Sequence, residues 1–425
     1  MAENIKVRNF LVLKKADVEI KRINVIIGPQ ANGKSLIAKL VYFFQGVSKE
    51  FLEGIRNQNT KRELDKKVLS GFESRFPKYS WEGTAFEISY EISGVRITIL
   101  GVKGSRGKTT LSLAYSDELV KFYASKKRLY KRKLEEGKGE ETNRNGYMSL
   151  DRKVMDEYII KSLPDEAFYP FFGNSFFIPA SRSFFANLQK NIFTFLASNL
   201  DIDPFLKEFG SLYERSKRLY KEDYFLRLHK KLLNELYGIT EAIVDGEYES
   251  KDDQDWIVSK GRRVNLSNAS SGQQESLPML LVLCVWPMIR RDDFGQMFFI
   301  EEPEAHLFPN SQGHIISLLS MLYGKMGSSF FITSHSPYIL SALNNFILAA
   351  DSVAAGKITE EKFTKLNGSG MPIKFEDISA YTIVNGGTES ISDSEYRMIG
   401  ADLLDGISEH FEDVMNELLV CEGES

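Results

Sequence analysis

Apolar and polar positions change period several times along the chain, and each change marks an element. Ile5, Val7 and the run Phe10, Leu11, Val12 suggest a strand, and residues 18–20 a second. Ile23–Ile27 is a short continuous apolar run of the kind buried on both faces, closed by Gly28 and Pro29. From Ser35 the period becomes helical through Leu36, Leu40, Val41, Phe43 and Phe44. Residues 86–90 and 95–100 flank Ser93-Gly94 and predict a hairpin, with 109–115 as a further strand. Three more short apolar runs, 175–179, 297–300 and 329–333, each lead into a polar cluster. Residues 185–240 are mostly helical by period, and 277–289 predicts a buried helix. That run holds Pro278 and Pro287 and is too short to span a bilayer. Beyond 346 the pattern predicts a short strand pair around 381–384 and an acidic helix over 409–419. Buried strands with polar carboxyl ends and intervening helices describe an open α/β sheet whose site lies along one edge.

Composition narrows this picture mainly by exclusion. The 425 residues hold 54 Lys+Arg against 58 Asp+Glu, a net charge of −4, which argues against a wholly basic nucleic-acid coat. With 30 Phe and 18 Tyr the chain has the apolar surface for an ample core, so disorder is not its main state. Two cysteines, Cys284 and Cys421, rule out a disulfide scaffold, and five histidines leave little for structural zinc. The N-terminus does not read as a signal peptide, so the expected location is the cytoplasm, with no membrane partner.

The chemistry is concentrated in four places. Gly28-Pro29-Gln30-Ala31-Asn32-Gly33-Lys34-Ser35 fits G-x-x-x-x-G-K-[ST] and sits between a strand and a helix, the order that a phosphate loop requires. Its backbone N–H groups, from Gly28 through Asn32 and Gly33, would face phosphate oxygens. Lys34 would reach the β- and γ-phosphates, and the Ser35 hydroxyl would hold Mg²⁺. The alternative is a glycine turn carrying a surface lysine. Residues 297–300 deliver Glu301 and Glu302 at a strand end, where successive side chains point to opposite sides. Glu301 is therefore expected to hold the metal and Glu302 to act as general base, against a plain solvated strand end that Pro303 and Glu304 would also suit. His335 follows the last buried strand. Ser270, Ser271, Gly272, Gln273 and Gln274 precede the apolar helix as a second anion-site candidate, a weak signal alone.

Taken together, these motifs with Glu301-Glu302-Pro303-Glu304-Ala305-His306 and Thr333-Ser334-His335-Ser336-Pro337 resemble the ATP-binding-cassette ATPases. The likeness is to the soluble SMC/Rad50-like branch that includes OLD-family and anti-phage defence ATPases. It implies a two-lobed P-loop NTPase cassette that sandwiches ATP and Mg²⁺ between two subunits, as a homodimer or higher homo-oligomer. Ser270, Gly272 and Gln273 would then meet nucleotide held by the other subunit, His306 would lie at the subunit contact, and His335 would be the switch histidine. The sequence departs from the family pattern at Ala269, Ser271 and Glu301. No glutamine of the expected loop is obvious, and Arg182 or Gln189 stands nearest. The resemblance places the cassette core at 1–45, 170–184 and 262–350, with a β/helical insertion at 46–169. A helical lobe at 185–261 and a C-terminal strand pair with acidic helix at 351–425 complete it. There is no long coiled coil.

Stand-alone members of this kind, in PARIS, Septu and retron defence systems, work with a separate effector such as a nuclease or toxin. The alternative is a DNA-binding ATPase of repair or end processing. Its sequence support is the cluster Lys126, Lys127, Arg128, Lys131, Arg132 and Lys133, which could instead be a solvated helix face balanced by nearby glutamates.

Overall fold

The computed structural model describes residues 3–105, 107–137, 149–188, 202–220, 230–251, 254–289 and 295–400. Gln189, Cys421 and the acidic helix expected over 409–419 lie outside the described residues. The first strand, β1 (Glu3–Phe10), returns through Leu11 and Val12 into β2 (Leu13–Ile20), and β3 (Ile23–Ile27) leads to helix α1 (Lys34–Arg56). After α2 (Lys61–Arg75) the chain lays down β4 (Phe86–Ile92), β5 (Val95–Lys103) and β6 (Thr109–Tyr115), then α3 (Asp117–Gly137). Later come β7 (Asn174–Ile178), α4 (Pro204–Tyr220), α5 (Lys230–Val244) and a small hairpin sheet of β8 (Glu247–Lys251), β9 (Gln254–Ser259) and β10 (Arg262–Asn265). The helix α6 (Ser271–Val285), β11 (Gln296–Glu301), α7 (Pro309–Met326), β12 (Ser329–Ser334) and α8 (Pro337–Ala354) precede β13 (Ile378–Val384) and β14 (Gly387–Ser390).

The main sheet runs β6-β5-β4-β1-β2-β14-β13-β3-β12-β11-β7. Its one half, β6 to β2, is antiparallel, and β13, β3, β12, β11 and β7 are parallel. The short apolar runs are the parallel strands, and their continuity follows from burial on both faces. Phe298, Ile300, Phe330 and Ile332 enter one core with α6, α7 and α8. Met297, Phe299 and Phe331 enter the other, with α1 and the 168–172 aromatics. Phe176, Phe298 and Phe330 form a cross-strand ladder on the first face, with centroids 4.9 and 5.9 Å apart. The mixed α/β fold read from the pattern is the fold observed, and residues 271–285 form the buried helix.

Two elements differ from the sequence reading. The 185–261 segment, read as a helical lobe, also carries β8, β9 and the approach to β10. These strands are short and polar, so they lack a clear apolar alternation. Buried Asp255 ties them to α4 by accepting from Tyr213 and Tyr248 at 2.7 Å each. The strand pair of the C-terminal segment is no appendage. β13 lies parallel to β3, with Tyr381 opposite Ile26 and Thr382 opposite Ile27, and so sits inside the sheet. The strands of the 46–169 insertion extend the same sheet through the pairing of β4 with β1.

Candidate functional site

β3, β12 and β11 are in register at their carboxyl ends, with Ile27 opposite Ser334 and Thr333 opposite Glu301. The loop 28–33, His335 and the two glutamates therefore meet at one edge, as open α/β sheets place their sites. Helix α1 opens with Gly33 at its N-cap, in the left-handed region at φ 98°, with no side-chain cap and no acid in its first turn. Its first N–H groups are left for an anion. A Cβ on Gly33 would lie 2.9 Å from side-chain atoms of Val12 and Leu13, so the β1–β2 turn and the conformation both require glycine there. Asn32 donates to the carbonyl of Ile383 at 3.4 Å, so β13 braces the loop.

Lys34 is buried, and its ammonium has three partners. It donates to the carbonyls of Gly28 at 2.7 Å and Pro29 at 2.6 Å, and lies 3.3 Å from Nδ1 of His335. Burial holds its pKa below the usual lysine value, opposed by the charges of Glu302 and Glu304. An ammonium at Nδ1 makes that nitrogen the acceptor, so the hydrogen-bond network assigns the ring proton to Nε2. Nε2 lies 3.1 Å from Oε1 of Glu302. Lys34, His335 and Glu302 thus form a continuous polar chain across the mouth of the loop.

The two adjacent glutamates are separated by more than strand alternation. β11 ends at Glu301, and Glu302 adopts φ 44°, a left-handed conformation that costs a non-glycine residue about 1 kcal/mol. Its N–H still bonds Thr333 at 2.9 Å, so the backbone swivels while the ladder holds. Ala31, Ser181 and His306, in the neighbouring turns, are left-handed too. Glu301 turns inward and is 5% exposed. Its Oε2 accepts from the Ala180 N–H at 3.1 Å, and its Oε1 is buried without a partner. Burial raises its pKa, while Lys39, the Ala180 N–H, the Ser35 hydroxyl and Arg182 pull it down. A buried carboxylate oxygen lacking a partner, beside the Ser35 hydroxyl, is a donor set that suits a hard divalent cation.

Several candidates turn out to be committed within the chain. Arg182, a candidate for the place of the expected loop glutamine, is fully buried, and its guanidinium donates to the carbonyls of Glu275, Pro179, Glu301 and Glu302 at 2.7–3.0 Å. It is a strut that holds the end of β11, not a free phosphate ligand. Gln273 is also occupied at both ends. Its Oε1 accepts from Ser270 N and Oγ at 3.1 Å each, and its Nε2 donates to Val244 at 2.6 Å. Ser270 and Gln273 are thus the capping box of α6. Gly272 faces the His306 carbonyl, which a Cβ would approach to 2.7 Å. This close approach requires glycine whatever else the position does.

The sequence pattern assigns Glu304 no role, yet it is only 8% exposed. Its Oε1 accepts from Ser334 Oγ at 2.7 Å and from the His335 N–H at 2.8 Å, clamping the loop that carries the histidine. Ser336 donates to Gln312 at 2.5 Å in the same loop. The Glu-Pro-Glu spacing was visible, but its partner lies 31 residues away. The basic cluster on α3 is largely spent internally. Lys126 pairs with Glu166 at 3.0 Å, Lys127 donates to the Asn59 carbonyl at 3.0 Å, and Lys133 pairs with Glu136 at 2.6 Å. Among the described residues no helix is long and apolar enough to cross a membrane.

Residues 173–340 are similar to the family described as AAA ATPase domain, so the matched stretch spans β7 to the start of α8. No curated protein matches the chain. Solved structures similar to it include an SMC head bound to the C-winged helix domain of ScpA, at 11% identity and TM-score 0.42, covering 95% of this chain and 99% of that one. The SMC head domain from Thermotoga maritima aligns at 11% identity and TM-score 0.36, over 92% and 98% of the two chains. The recombination mediator protein RecF of the RecFOR pathway aligns at 11% identity and TM-score 0.32, over 92% and 98%.

Proposed function

We propose that this chain is an ATP-binding and ATP-hydrolysing switch of the ABC type, in which two copies close around Mg²⁺ and ATP. The closed state would control a separate effector, a nuclease or toxin, in bacterial defence against phage. The observation that carries the ATPase reading is the polar chain from Lys34 through His335 to Glu302, laid across a glycine loop at the open N-terminus of α1.

In this reading the phosphates take over Lys34 from the Gly28 and Pro29 carbonyls. The N–H groups of the loop and of the first turn of α1 receive the remaining phosphate oxygens. Ser35 and Glu301 would hold Mg²⁺, which when bound neutralises charge on the β- and γ-phosphates. Glu302 accepts the proton of the attacking water as the new P–O bond forms and the bond to the leaving β-phosphate oxygen breaks. His335, held by the backbone clamp of Glu304, orients Glu302 through its Nε2–H. Ser270 and Gly272 of the second subunit would complete the site, with His306 at the contact. ATP then biases the equilibrium between open and closed forms by its differential affinity for them.

Glu302→Gln tests the core of the proposal. The variant should bind ATP, fail to turn it over, and stay closed on it, seen as an ATP-dependent gain in mass over the nucleotide-free protein in light scattering, while Lys34→Ala should not bind. Normal hydrolysis by Glu302→Gln would falsify the base assignment. The effector role rests on the resemblance of the motif set. It predicts that Glu302→Gln and Lys34→Ala both abolish protection of a host carrying the intact operon under phage challenge. The DNA-processing alternative is disfavoured by the internal pairing of Lys126, Lys127 and Lys133.

A further inference from the structure

The two ends of the main sheet are treated differently. At one end β7 packs against α4. At the other, β6 is the terminal strand, and no other strand among the described residues pairs with its outer edge. The ladder with β5 sets which groups face outward. Gly104 N bonds Lys108 O, and Ser116 N bonds Arg96 O. With Thr98 opposite Ala114 and Leu100 opposite Ser112, the even-numbered residues of β6 bond β5. The N–H and C=O groups of Thr109, Leu111, Leu113 and Tyr115 therefore point away from the sheet.

Exposed edges are normally guarded by lysine, proline, a bulge or brevity. The seven residues Thr109-Thr110-Leu111-Ser112-Leu113-Ala114-Tyr115 have no charge, no proline and an unbroken register. Leu111 and Leu113 are half-buried on the core-facing side, and Thr110, Ser112 and Ala114 are exposed on the other.

We propose that β6 pairs antiparallel with β6 of a second copy of this chain about a two-fold axis through Ser112, joining the two sheets without nucleotide. This register sets Leu111 of each copy opposite Leu113 of the other, so outward groups exchange hydrogen bonds and four half-buried leucines cover one another. Thr109 meets Tyr115, and Thr110 meets Ala114. At each end Lys108 of one copy comes beside Asp117 of the other, so the charges flanking the strand are complementary for this occupant. The contact uses a surface distinct from Ser270 and His306, so it stands or falls independently of the nucleotide-sandwich reading.

In this register the two Ser112 residues form a non-hydrogen-bonded pair with Cα atoms about 4.5 Å apart, within reach of a disulfide. The test uses nucleotide-free full-length protein in a Cys421→Ser background. Ser112→Cys should cross-link to a covalent dimer on mild oxidation, whereas Ala114→Cys, about 14 Å from its symmetry mate, should not. Ser112→Lys places like charges face to face on the solvent side, where it leaves each fold intact. It should weaken the dimer roughly tenfold or more in analytical ultracentrifugation, with partial recovery in salt. A monomeric wild-type protein, equal cross-linking of the two cysteine variants, or a dimer indifferent to Ser112→Lys overturns the proposal.

Discussion

The Nε2 of His335 lies 3.1 Å from Oε1 of Glu302, while the other ring nitrogen faces the Lys34 ammonium. The histidine therefore reads the state of the phosphate loop on one side and holds the carboxylate on the other. Replacing it by alanine should leave ATP affinity nearly intact and lower kcat roughly 10²-fold, the ordinary scale for a lost acid–base or orienting group. Nucleotide binding by fluorescence and steady-state phosphate release separate the two effects. A variant with wild-type kcat would remove His335 from the reaction.

Glu304 acts on the same histidine through its backbone. Glu304→Ala leaves the Ser334 hydroxyl and the His335 N–H buried without their acceptor, and should destabilise the fold by about 1–3 kcal/mol in urea melts. Glu304→Gln keeps an acceptor oxygen and should recover most of that stability and of kcat. If alanine and glutamine behave alike, the clamp is not what matters.

Glu301 gives a pH signature. Its pKa is raised by burial, so the folded state holds this proton more tightly than the unfolded one. The stability from this group is greatest at low pH and is lost as pH rises through the carboxyl range, levelling off above the raised value. Glu301→Gln carries no such penalty. Without metal or nucleotide it should match or exceed the wild-type Tm at neutral pH, and the difference should vanish at low pH. With Mg²⁺ and ATP the order should reverse, because only the wild type gains from binding. Thermal melts across pH, with and without both ligands, check both halves.

Gly272 has no room for a methyl group, because the atom in the way is the backbone carbonyl of His306. Gly272→Ala should cost about 1–3 kcal/mol and shift the N-terminus of α6 against the 302–307 turn. Loss of ATP-driven association should exceed loss of ATP binding, as measured by light scattering and nucleotide titration.

Burial pushes the Cys284 thiol up to about 12. At pH 8 roughly one thiol in 10,000 is then ionised, and the group is shielded besides. In a Cys421→Ser background the native protein should resist iodoacetamide for hours and react stoichiometrically in guanidinium. Rapid native labelling would mean that α6 opens far more readily than its packing implies.

Local pattern alone located the glycine loop, the buried strands, the Glu301-Glu302 pair and the strand end bearing His335. Each of these is written in contiguous residues whose period or spacing reflects the element they form. What the sequence left open depended on residues far apart in the chain. The acid that clamps His335 comes from the turn after the neighbouring strand, and the strand bracing the phosphate loop comes from beyond residue 377. Arg182 is a strut because four carbonyls converge on it, and Glu302 departs from Glu301 because one residue turns left-handed. The strand 109–115 was legible as a strand, but only the order of the sheet put it at the edge. Periodicity reports which face of an element seeks burial, and the tertiary structure decides what it is buried against.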